Sequence, residues 1–488
     1  MHVILLLLLT LPVAAALVCL RVPPVVARTV TAVSGVVSFA LVLVLVPAAA
    51  HRDIGYLRFL RVDALSVVFL LATAFLYGAV AVYSVGYLSA GSGHQAPARY
   101  SRRFWIGLNV FAWAMLAAPM MSNLGLLWVA IEVTTVVSAL LVAIEDTDGA
   151  AEAAWKYVLL ASAGLALALL ATIFAYYAGA QVLGQSYDLG FSQLLAAAPR
   201  LPHAAVELAF VLAVLGFGTK TGLVPVHTWL PDAHSEAPTP VSALLSGSLL
   251  AVSFYAILRF YQVAESALGP RYPRNVLLVF GVASLLLAML YLFGQRDIKR
   301  LLAYSSVEHM GILAIGVSFG APAALAGVLL HVLAHAAAKG NAFMGAGVLV
   351  RKLGSKRITA IRGGLDLLPW SGPLFLLAIL ALGAMPPFGL FRSEFEIVAG
   401  GLGSGSYPAA VILVVGVTAA FFGLAGSLSR ALLLPATGTV PARGEPSGWM
   451  VAPVVAGVLA LLLLGVHPPA ELTDLFGRAV ELLGGRTS

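Results

Sequence analysis

Long apolar runs recur along the whole chain and are separated by short polar connections. A run of about 18 or more apolar residues is long enough to cross a hydrocarbon core of about 30 Å as an α-helix. The pattern predicts an all-α polytopic membrane protein with about fourteen transmembrane helices. Their approximate bounds are residues 3–20, 26–49, 63–88, 104–121, 123–143, 153–178, 205–224, 239–262, 275–294, 302–319, 322–350, 369–398, 409–433 and 450–466.

Composition supports the membrane assignment and limits the chemistry. Apolar residues make up 61% of the 488 residues, charged residues make up 10%, and the mean hydropathy is +0.99. The first run lacks a basic n-region and a small-residue cleavage site, so we expect it to be retained as a span. Cys19 is the only cysteine, which excludes a disulfide or a cysteine-ligated iron–sulfur cluster within this chain. No phosphate-binding motif or metal cluster is evident, so we expect no cofactor here.

The distribution of lysine and arginine predicts the orientation. Fifteen of these residues fall in odd-numbered loops and six in even-numbered loops. Since positive charge accumulates on the cytoplasmic side, we expect the odd loops in the cytoplasm and both termini outside the cell membrane of a bacterium or archaeon. The net charge of +7 suits loops that face anionic lipid and does not indicate nucleic acid binding.

The stretch from Gly216 to Pro240 combines charged side chains with helix-breaking residues between two apolar runs. Charged groups and helix breaks at membrane depth persist mainly inside protein or beside water. The stretch therefore indicates an ion path, with Lys220 at its start. A second reading remains open for the polar residues after the break, which either line an access route or cap helices and bond the loop: His227, Asp232, His234 and Glu236.

A second interruption occurs in the twelfth predicted span, at residues 385–389, just before Glu394 and Glu396. Spans seven and twelve are five apart, so a five-span repeat would have opposite topology in its second copy. Paired broken helices in inverted repeats are typical of a mid-membrane transport site. We expect an N-terminal three-helix segment (1–100), two repeats (101–265, spans four to eight, and 266–435, spans nine to thirteen) and a C-terminal helix with a short tail (436–488).

Three ionisable residues share one face of the eleventh span. His331, His335 and Lys339 are spaced i, i+4, i+8 and cover about 80° of the helix surface. Histidine titrates near neutrality, so the stripe is suited to passing protons. Structural histidines are one alternative. Metal binding by the two histidines is another, but the sequence shows no third ligand, and we expect no metal.

Two motifs carry a family resemblance that covers roughly residues 60–430. Residues 226–243 and 296–312, the latter with Ser-Ser-Val-Glu-His-Met, resemble the antiporter-like subunits of respiratory complex I, membrane-bound hydrogenases and multisubunit cation/proton antiporters, and most closely the hydrogenase-4 component F type. The resemblance implies about fourteen helices in two inverted repeats. It also implies a proton-translocating subunit whose partners are other membrane subunits and a peripheral redox module carrying iron–sulfur clusters and a NiFe centre.

The resemblance assigns roles to residues of the first repeat. Glu132 corresponds to a helix-five glutamate that pairs with Lys220, and moving that carboxylate would load or unload the lysine. A static ion pair that only holds the helices together is the alternative. Lys156 resembles a basic helix-six residue that modulates the pair, or it extends to the membrane surface from a helix end.

In the second repeat, the resemblance places His309 near the middle of the path and Glu394 at its exit, with Glu396 as a neighbour. The chain departs from many relatives at Ala251, where they have a lysine or histidine on the eighth helix. Alanine cannot carry a proton, which leaves three alternatives for the proton path at this position. Nearby hydroxyl groups with water bridge it, His309 and His331 bypass it, or the two half-channels are not joined through the middle. The hydroxyl candidates are Ser246, Ser248, Ser253 and Tyr255.

Two other functions stay open at this stage. One is a subunit of a multisubunit Na⁺/H⁺ antiporter, with Na⁺ as the second ion. The other is a non-pumping membrane partner of a soluble module. This alternative stays open because Ala251 cannot carry a proton. Only about 22 residues follow the last predicted span, so the long lateral helix of the distal complex I subunit is not expected.

Overall fold

The computed structural model describes residues 1–89, 97–184, 186–435 and 441–485, and these residues are almost entirely helical. The helices of the first half are α1 (His2–Cys19), α2 (Pro24–His51), α3 (Ala64–Ser89), α4 (Ala98–Ala117), α5 (Leu124–Val142), α6 (Asp148–Leu183), α7 (Phe191–Ala197), α8 (His203–Thr221), α9 (Leu230–Glu236) and α10 (Thr239–Leu244). Those of the second half are α11 (Leu250–Leu268), α12 (Arg271–Leu292), α13 (Ile298–Phe319), α14 (Pro322–Leu353), α15 (Gly364–Leu367), α16 (Ser371–Leu382), α17 (Gly389–Gly403), α18 (Tyr407–Leu433), α19 (Gly448–Val466) and α20 (Ala470–Leu482).

The structure confirms an all-α polytopic membrane protein. Among the described residues, 12 helices are long and apolar enough to cross a membrane, with α10 and α11 joined into one by a π-helical turn, Leu245–Leu249. The two further predicted spans are α4 and the pair α16–α17. α4 is 20 residues long, but Arg99, Arg102 and Arg103 near its start make it more polar than the others. α16 and α17 are each too short to cross alone.

Four of the spans form the centre of the molecule. α3, α10–α11, α13 and α14 have between 89% and 100% of their most apolar stretch buried inside the protein, against 33% for α1 and α12. The central helices contact one another, and the outer helices present apolar side chains such as Leu290 and Val279 outwards. Polar residues on the central helices are therefore shielded from lipid, which is where a membrane protein tolerates them.

Both predicted helix breaks are confirmed. α8 ends at Gly222, whose φ of +86° places it in the left-handed region that glycine tolerates best. The Trp229 indole nitrogen donates to the Thr219 carbonyl (2.7 Å), one of the carbonyls at the end of α8 that lack a helical partner. The second break separates α16 from α17 over residues 383–388. Each break contains a cis Xaa–Pro bond, Val224–Pro225 and Pro386–Pro387.

Three connections differ from the predicted ones. The predicted spans 153–178 and 205–224 imply a long loop between them, which is wrong, because α6 continues to Leu183 and α7 occupies part of the remainder. The loop before α3 forms a small antiparallel hairpin of β1 (Ile54–Tyr56) and β2 (Leu60–Val62). The residues after the last span form the amphipathic α20, which packs on α2 and α3. The first part of the expected link at 438–448 lies outside the described residues.

Candidate functional site

Lys220 lies near the end of α8 in a pocket of neutral hydroxyl groups, and its side chain is completely buried. The ammonium donates to Thr135 Oγ1 on α5 (2.7 Å) and to the Tyr157 hydroxyl on α6. The Tyr157 hydroxyl in turn shares a hydrogen bond with Ser138 Oγ (2.8 Å). A buried ammonium needs such oxygen partners to offset its loss of water. The pocket therefore holds Lys220 without a carboxylate in direct contact.

Glu132 lies one helical turn before Thr135 on α5 and is half-buried. Its Oε2 atom is buried without a hydrogen-bond partner, and the ion pairs of the described residues do not include Glu132 with Lys220. The two side chains are nevertheless close enough for their charges to interact. The static ion pair considered from the sequence is therefore not formed among the described residues.

Lys156 belongs to a different network from Lys220. Its ammonium is 2.6 Å from Glu152 on the same helix and 3.5 Å from Asp232 on α9, and its side chain is half-exposed. Arg300 on α13 approaches the other Asp232 oxygen at 3.1 Å. Asp232 thus ties α9 to both α6 and α13, and Lys156 neither contacts Glu132 nor extends alone to the surface.

The segment around α9 is anchored by the start of α13 and by the loop after α14. The buried Lys299 ammonium donates to the backbone carbonyls of Ser235 (3.1 Å) and Ala237, at the end of α9. Glu236 pairs with Lys356 at 2.6 Å. Lys299 therefore binds carbonyls that α9 leaves without helical partners. Asp232 and Glu236 connect α9 to the neighbouring elements through their ion pairs.

His234 lies between the Lys220 pocket and α14. It is fully buried, and neither ring nitrogen has a hydrogen-bond partner among the described residues. Its ring lies 6.4 Å from the Trp229 ring and 5.5 Å from the Phe343 ring of α14. Trp229 packs against Tyr157 of the Lys220 pocket at 4.4 Å. His227 is also nearly buried, and its Nδ1 atom lacks a partner among the described residues.

The polar stripe on α14 faces α13 and meets another histidine there. His309 Nδ1 is 3.1 Å from His331 Nε2, and the His309 ring lies 5.1 Å from the His335 ring. Further along α14, Lys339 donates to Ser305 Oγ (2.7 Å) and to the carbonyl of Leu302 (3.0 Å), both on α13. The stripe and His309 are completely buried, so the structure brings all four predicted residues into one cluster.

A buried carboxylate, Glu308, was missed as a site residue by the sequence analysis. It is 4% exposed, and its charge interacts with those of Lys339 and Glu394. The signal was present, because a carboxylate beside His309 within an apolar span is costly unless it has a role. Thr135 and Tyr157 were missed as well, but hydroxyl residues are common in transmembrane helices and gave no signal.

Glu394 lies on α17 at the far end of the cluster. Its Oε1 atom is 4.0 Å from His309 Nδ1 and has no hydrogen-bond partner among the described residues. The neighbouring Ser393 hydroxyl is 3.0 Å from His331 Nδ1. Glu394 also borders a cavity of about 290 Å³ between the second helix break, α17 and α18. Glu396 points elsewhere, since it pairs with Arg392 at 3.0 Å, and it does not join the cluster.

The hydroxyl groups near Ala251 are already engaged with other partners. Ser246 Oγ lies 2.7 Å from Ser306 Oγ on α13, and Ser248 donates to Thr73 (2.9 Å). Ser253 donates to the Phe217 carbonyl (2.8 Å). The Tyr255 hydroxyl contacts Ser66, Pro119 and Arg259. Of these hydroxyls, only Ser246 lies beside the α13 segment that binds Lys339, whereas His234 provides a titratable ring between the two clusters.

Comparison with known proteins places this arrangement in a family. The family model described as "NADH:quinone oxidoreductase/Mrp antiporter, TM" matches residues 121–423, which include both helix breaks. A hydrogenase-4 component F homolog of Methylacidiphilum infernorum is 34% identical over 429 residues, covering 87% of this chain and 89% of that protein.

Solved structures show the same fold. A chain of respiratory complex I from Thermus thermophilus with bound NADH is 26% identical, with a TM-score of 0.83 over 99% of this chain and 100% of that one. A chain of an archaeal membrane-bound sulfane sulfur reductase has a TM-score of 0.86 at 19% identity, over 99% and 98% of the two chains. The chain therefore belongs to the NADH:quinone oxidoreductase/Mrp antiporter family of membrane subunits.

Proposed function

We propose that this chain translocates protons as a membrane subunit of a redox-driven assembly of the hydrogenase-4 or complex I type. The observation that carries the proposal is the buried series of titratable groups from Lys220, through His234 and the α13–α14 cluster, to Glu394. Buried ionisable groups at membrane depth are costly and are typical of proton relays. The resemblance to a hydrogenase-4 component F homolog favours the hydrogenase-linked branch.

In the proposed mechanism, Lys220 is the loading site. The approach of the ionised Glu132 favours the charged ammonium, and its withdrawal favours release of the proton. The hydroxyls of Thr135 and Tyr157 hold the lysine in either state. Because the groups interact strongly, they titrate as a coupled set, and no single residue owns an observed pKa.

The second step carries the proton across the centre of the molecule. His234 bridges the region that Ala251 leaves without a titratable side chain, with water completing the connection. Lys339, His335, His309 and His331 then pass the proton towards Glu394, because a histidine can accept a proton on one ring nitrogen and release one from the other. The cavity beside Glu394 supplies the route out of the protein.

The remaining assignments follow from the proposed assembly. The partners are other membrane subunits and a peripheral redox module that carries the iron–sulfur clusters and a NiFe centre. The complex resides in the cell membrane of a bacterium or archaeon, with both termini of this chain on the outer side. The division into two inverted five-helix repeats stays a prediction, and the two helix breaks at corresponding positions support it.

Lys220→Ala in the intact complex tests the loading site. We expect the proton yield per electron to fall, because the variant removes the ammonium that the hydroxyl pocket holds, while electron transfer by the redox module continues. Lys352→Ala is the matched control, since Lys352 lies at the end of α14 and donates to the Gly444 carbonyl outside the path. A normal proton yield in the Lys220 variant would contradict the proposal. Sodium-dependent proton exchange without a redox substrate would favour the antiporter alternative.

The partners are identified by purification in mild detergent, with an assay for nickel and iron. We expect nickel–iron hydrogenase subunits to accompany the chain. Iron–sulfur subunits without nickel would move the assignment to a complex I-like assembly. Small membrane subunits alone, without metal, would contradict a redox-driven role.

A further inference from the structure

We infer that His309, His331 and Glu394 form a binding site for a divalent transition-metal ion, with Zn²⁺ the best fit. The three side chains come from α13, α14 and α17, and one ligand atom from each lies within 4.8 Å of the other two. Because the three residues lie on three different helices, the sequence does not show them together. It shows only His331 and His335, which are spaced i, i+4 on α14. Two imidazoles and a carboxylate are a ligand set that Zn²⁺ takes in sites with an open fourth position.

The two histidine nitrogens already have the spacing of ligands to one ion. His309 Nδ1 and His331 Nε2 are 3.1 Å apart. Ligand atoms about 2 Å from a tetrahedral zinc lie about 3.3 Å from each other. Glu394 Oε1 is 4.0 Å from His309 Nδ1, a gap that a small change in the carboxylate's side-chain torsions closes.

Hydrogen bonds around His331 direct the correct nitrogen into the site. The Ser393 hydroxyl donates to the Leu390 carbonyl (2.8 Å), so its oxygen accepts from His331 Nδ1–H (3.0 Å). In the tautomer with the proton on Nδ1, the Nε2 lone pair of His331 faces His309 and Glu394. A hydrogen bond to the second ring nitrogen is the usual support of a metal-binding histidine.

A buried oxygen without a hydrogen bond points to a bound cation. Glu394 Oε1 is buried and unpartnered among the described residues. Metal binding places the His309 proton on Nε2 and frees Nδ1 as a ligand, while Glu394 Oε1 gains a cation. The cavity beside Glu394 provides an entry path for the ion.

A bound ion would block the proton path, because it takes the lone pairs of His309 and His331 and the carboxylate of Glu394. This consequence rests on the proposed function, whereas metal binding itself does not. Zn²⁺ is therefore expected to act as an inhibitor that reaches the path from the Glu394 side.

The test titrates Co²⁺ into the purified full-length chain and records the visible absorption bands that a tetrahedral Co²⁺ site produces. We expect one such Co²⁺ per chain, displaced by Zn²⁺. Glu394→Gln and His331→Gln should each weaken binding at least about tenfold. His335→Gln should bind as the unmodified chain does, since it places the same substitution in the same buried cluster without removing a ligand. His203→Gln, at the exposed start of α8, controls for surface binding.

The results of this titration separate the site from the proton path. Octahedral Co²⁺ only, or tetrahedral binding that survives both Glu394→Gln and His331→Gln, overturns the metal site. Tetrahedral binding with the expected variant pattern establishes it. If Zn²⁺ then leaves proton translocation by the intact complex unchanged, the metal site stands and the path through His309 is the part that fails.

Discussion

At the scale of single residues, the main finding is that neutral hydroxyls hold Lys220. Its ammonium bonds to Thr135 and Tyr157, while Glu132 stays out of direct contact. A lysine held by a direct ion pair would be locked in its charged form. A lysine held by hydroxyls can change its protonation state more easily. A carboxylate outside direct contact can shift the proton affinity of the lysine, and no buried ion pair has to be broken, which would be costly.

Tyr157→Phe tests this arrangement. It removes one oxygen partner of the ammonium, and a hydrogen bond to a charged group contributes about 1.5–3 kcal/mol. We expect the proton yield per electron to drop and the charged state of Lys220 to become about 10–150-fold less populated, by the same energy. Tyr177→Phe is the control, because Tyr177 is on the same helix but half-exposed on the outside of the molecule. Equal proton yields in the two variants would argue against a role for the hydroxyl.

At the scale of elements, the break after α8 places Lys220 at a helix end. Gly222 closes α8 in the left-handed region, and the space for its missing side chain is filled by Leu230 of α9. A Cβ atom at this position would lie 2.5 Å from Leu230 Cδ1, and Leu230 is fully buried. The glycine therefore sets both the direction of the chain and how closely α9 packs on the Lys220 pocket.

Gly222→Ala should be more destabilising than Gly354→Ala. Both glycines end a helix with positive φ, so both variants have a left-handed alanine that costs about 1–2 kcal/mol. Only the alanine at 222 clashes, since no described atom lies within 4 Å of a Cβ at 354. Overpacking adds about 1–3 kcal/mol. The measurement is the free energy of unfolding in detergent micelles, and an equal loss in both variants would contradict close packing of α9.

At the scale of the whole molecule, a buried ion pair, Arg259–Asp63, lies apart from the proposed proton path. Arg259 on α11 donates to Asp63, just before α3, at 2.7 Å, and both side chains are buried. Arg259 also donates to Gln262 (3.0 Å), which donates to the Leu482 carbonyl of α20 (2.6 Å). The pair therefore connects the centre of the bundle to its C-terminal helix. Nothing in the sequence indicated this pair, because its two residues are 196 positions apart.

Arg259→Met should destabilise the fold strongly. It leaves Asp63 buried without its counter-charge, which costs about 3–5 kcal/mol. Arg392→Met is the control, since the Arg392–Glu396 pair is partly exposed and such pairs contribute at most about 1 kcal/mol. The free energy of unfolding in micelles measures both. A similar small loss in the two variants would show that the buried pair does not hold α3, α11 and α20 together.

The pH dependence of the same pair has a defined sign. Burial by itself raises the pKa of the Asp63 carboxyl, but the Arg259 guanidinium, the Ser66 backbone N–H and the charge of Arg61 together outweigh burial and hold that pKa below its usual value. The ionised pair therefore stabilises the fold above the ordinary pKa of about 4, and this stabilisation is lost as the pH falls through the lower folded-state pKa. In Arg259→Met the same burial acts without the guanidinium and raises the pKa of Asp63, so the variant gains stability as the pH falls. Unfolding experiments should therefore show that the difference in unfolding free energy between the unmodified chain and Arg259→Met is largest near about pH 8 and decreases towards acid pH. A difference that grows as the pH falls would contradict the lowered pKa of Asp63 in the unmodified chain.

The sequence by itself determined the features that depend on the bilayer and on the local chain. Apolar runs predicted the spans, because lipid tolerates little else over about 30 Å. Glycine and proline predicted both breaks, since these residues act on their own backbone. The spacing of His331, His335 and Lys339 predicted a shared face, because helix geometry fixes it. The motifs in residues 226–243 and 296–312 indicated the family, which the comparison confirmed.

Only the tertiary structure decided which side chains meet. Lys220 and Thr135 are 85 residues apart in the chain, and Asp63 and Arg259 are 196 apart. Their contact depends on how helices pack, and the lipid-like composition of the spans does not specify which polar groups face each other. The same is true of His309 and Glu394, which meet His331 from two other helices in the proposed three-ligand site, whereas the sequence showed His331 only together with His335. Local residue patterns determine where polar groups lie along each helix, and the packing of distant helices determines what chemistry those groups share.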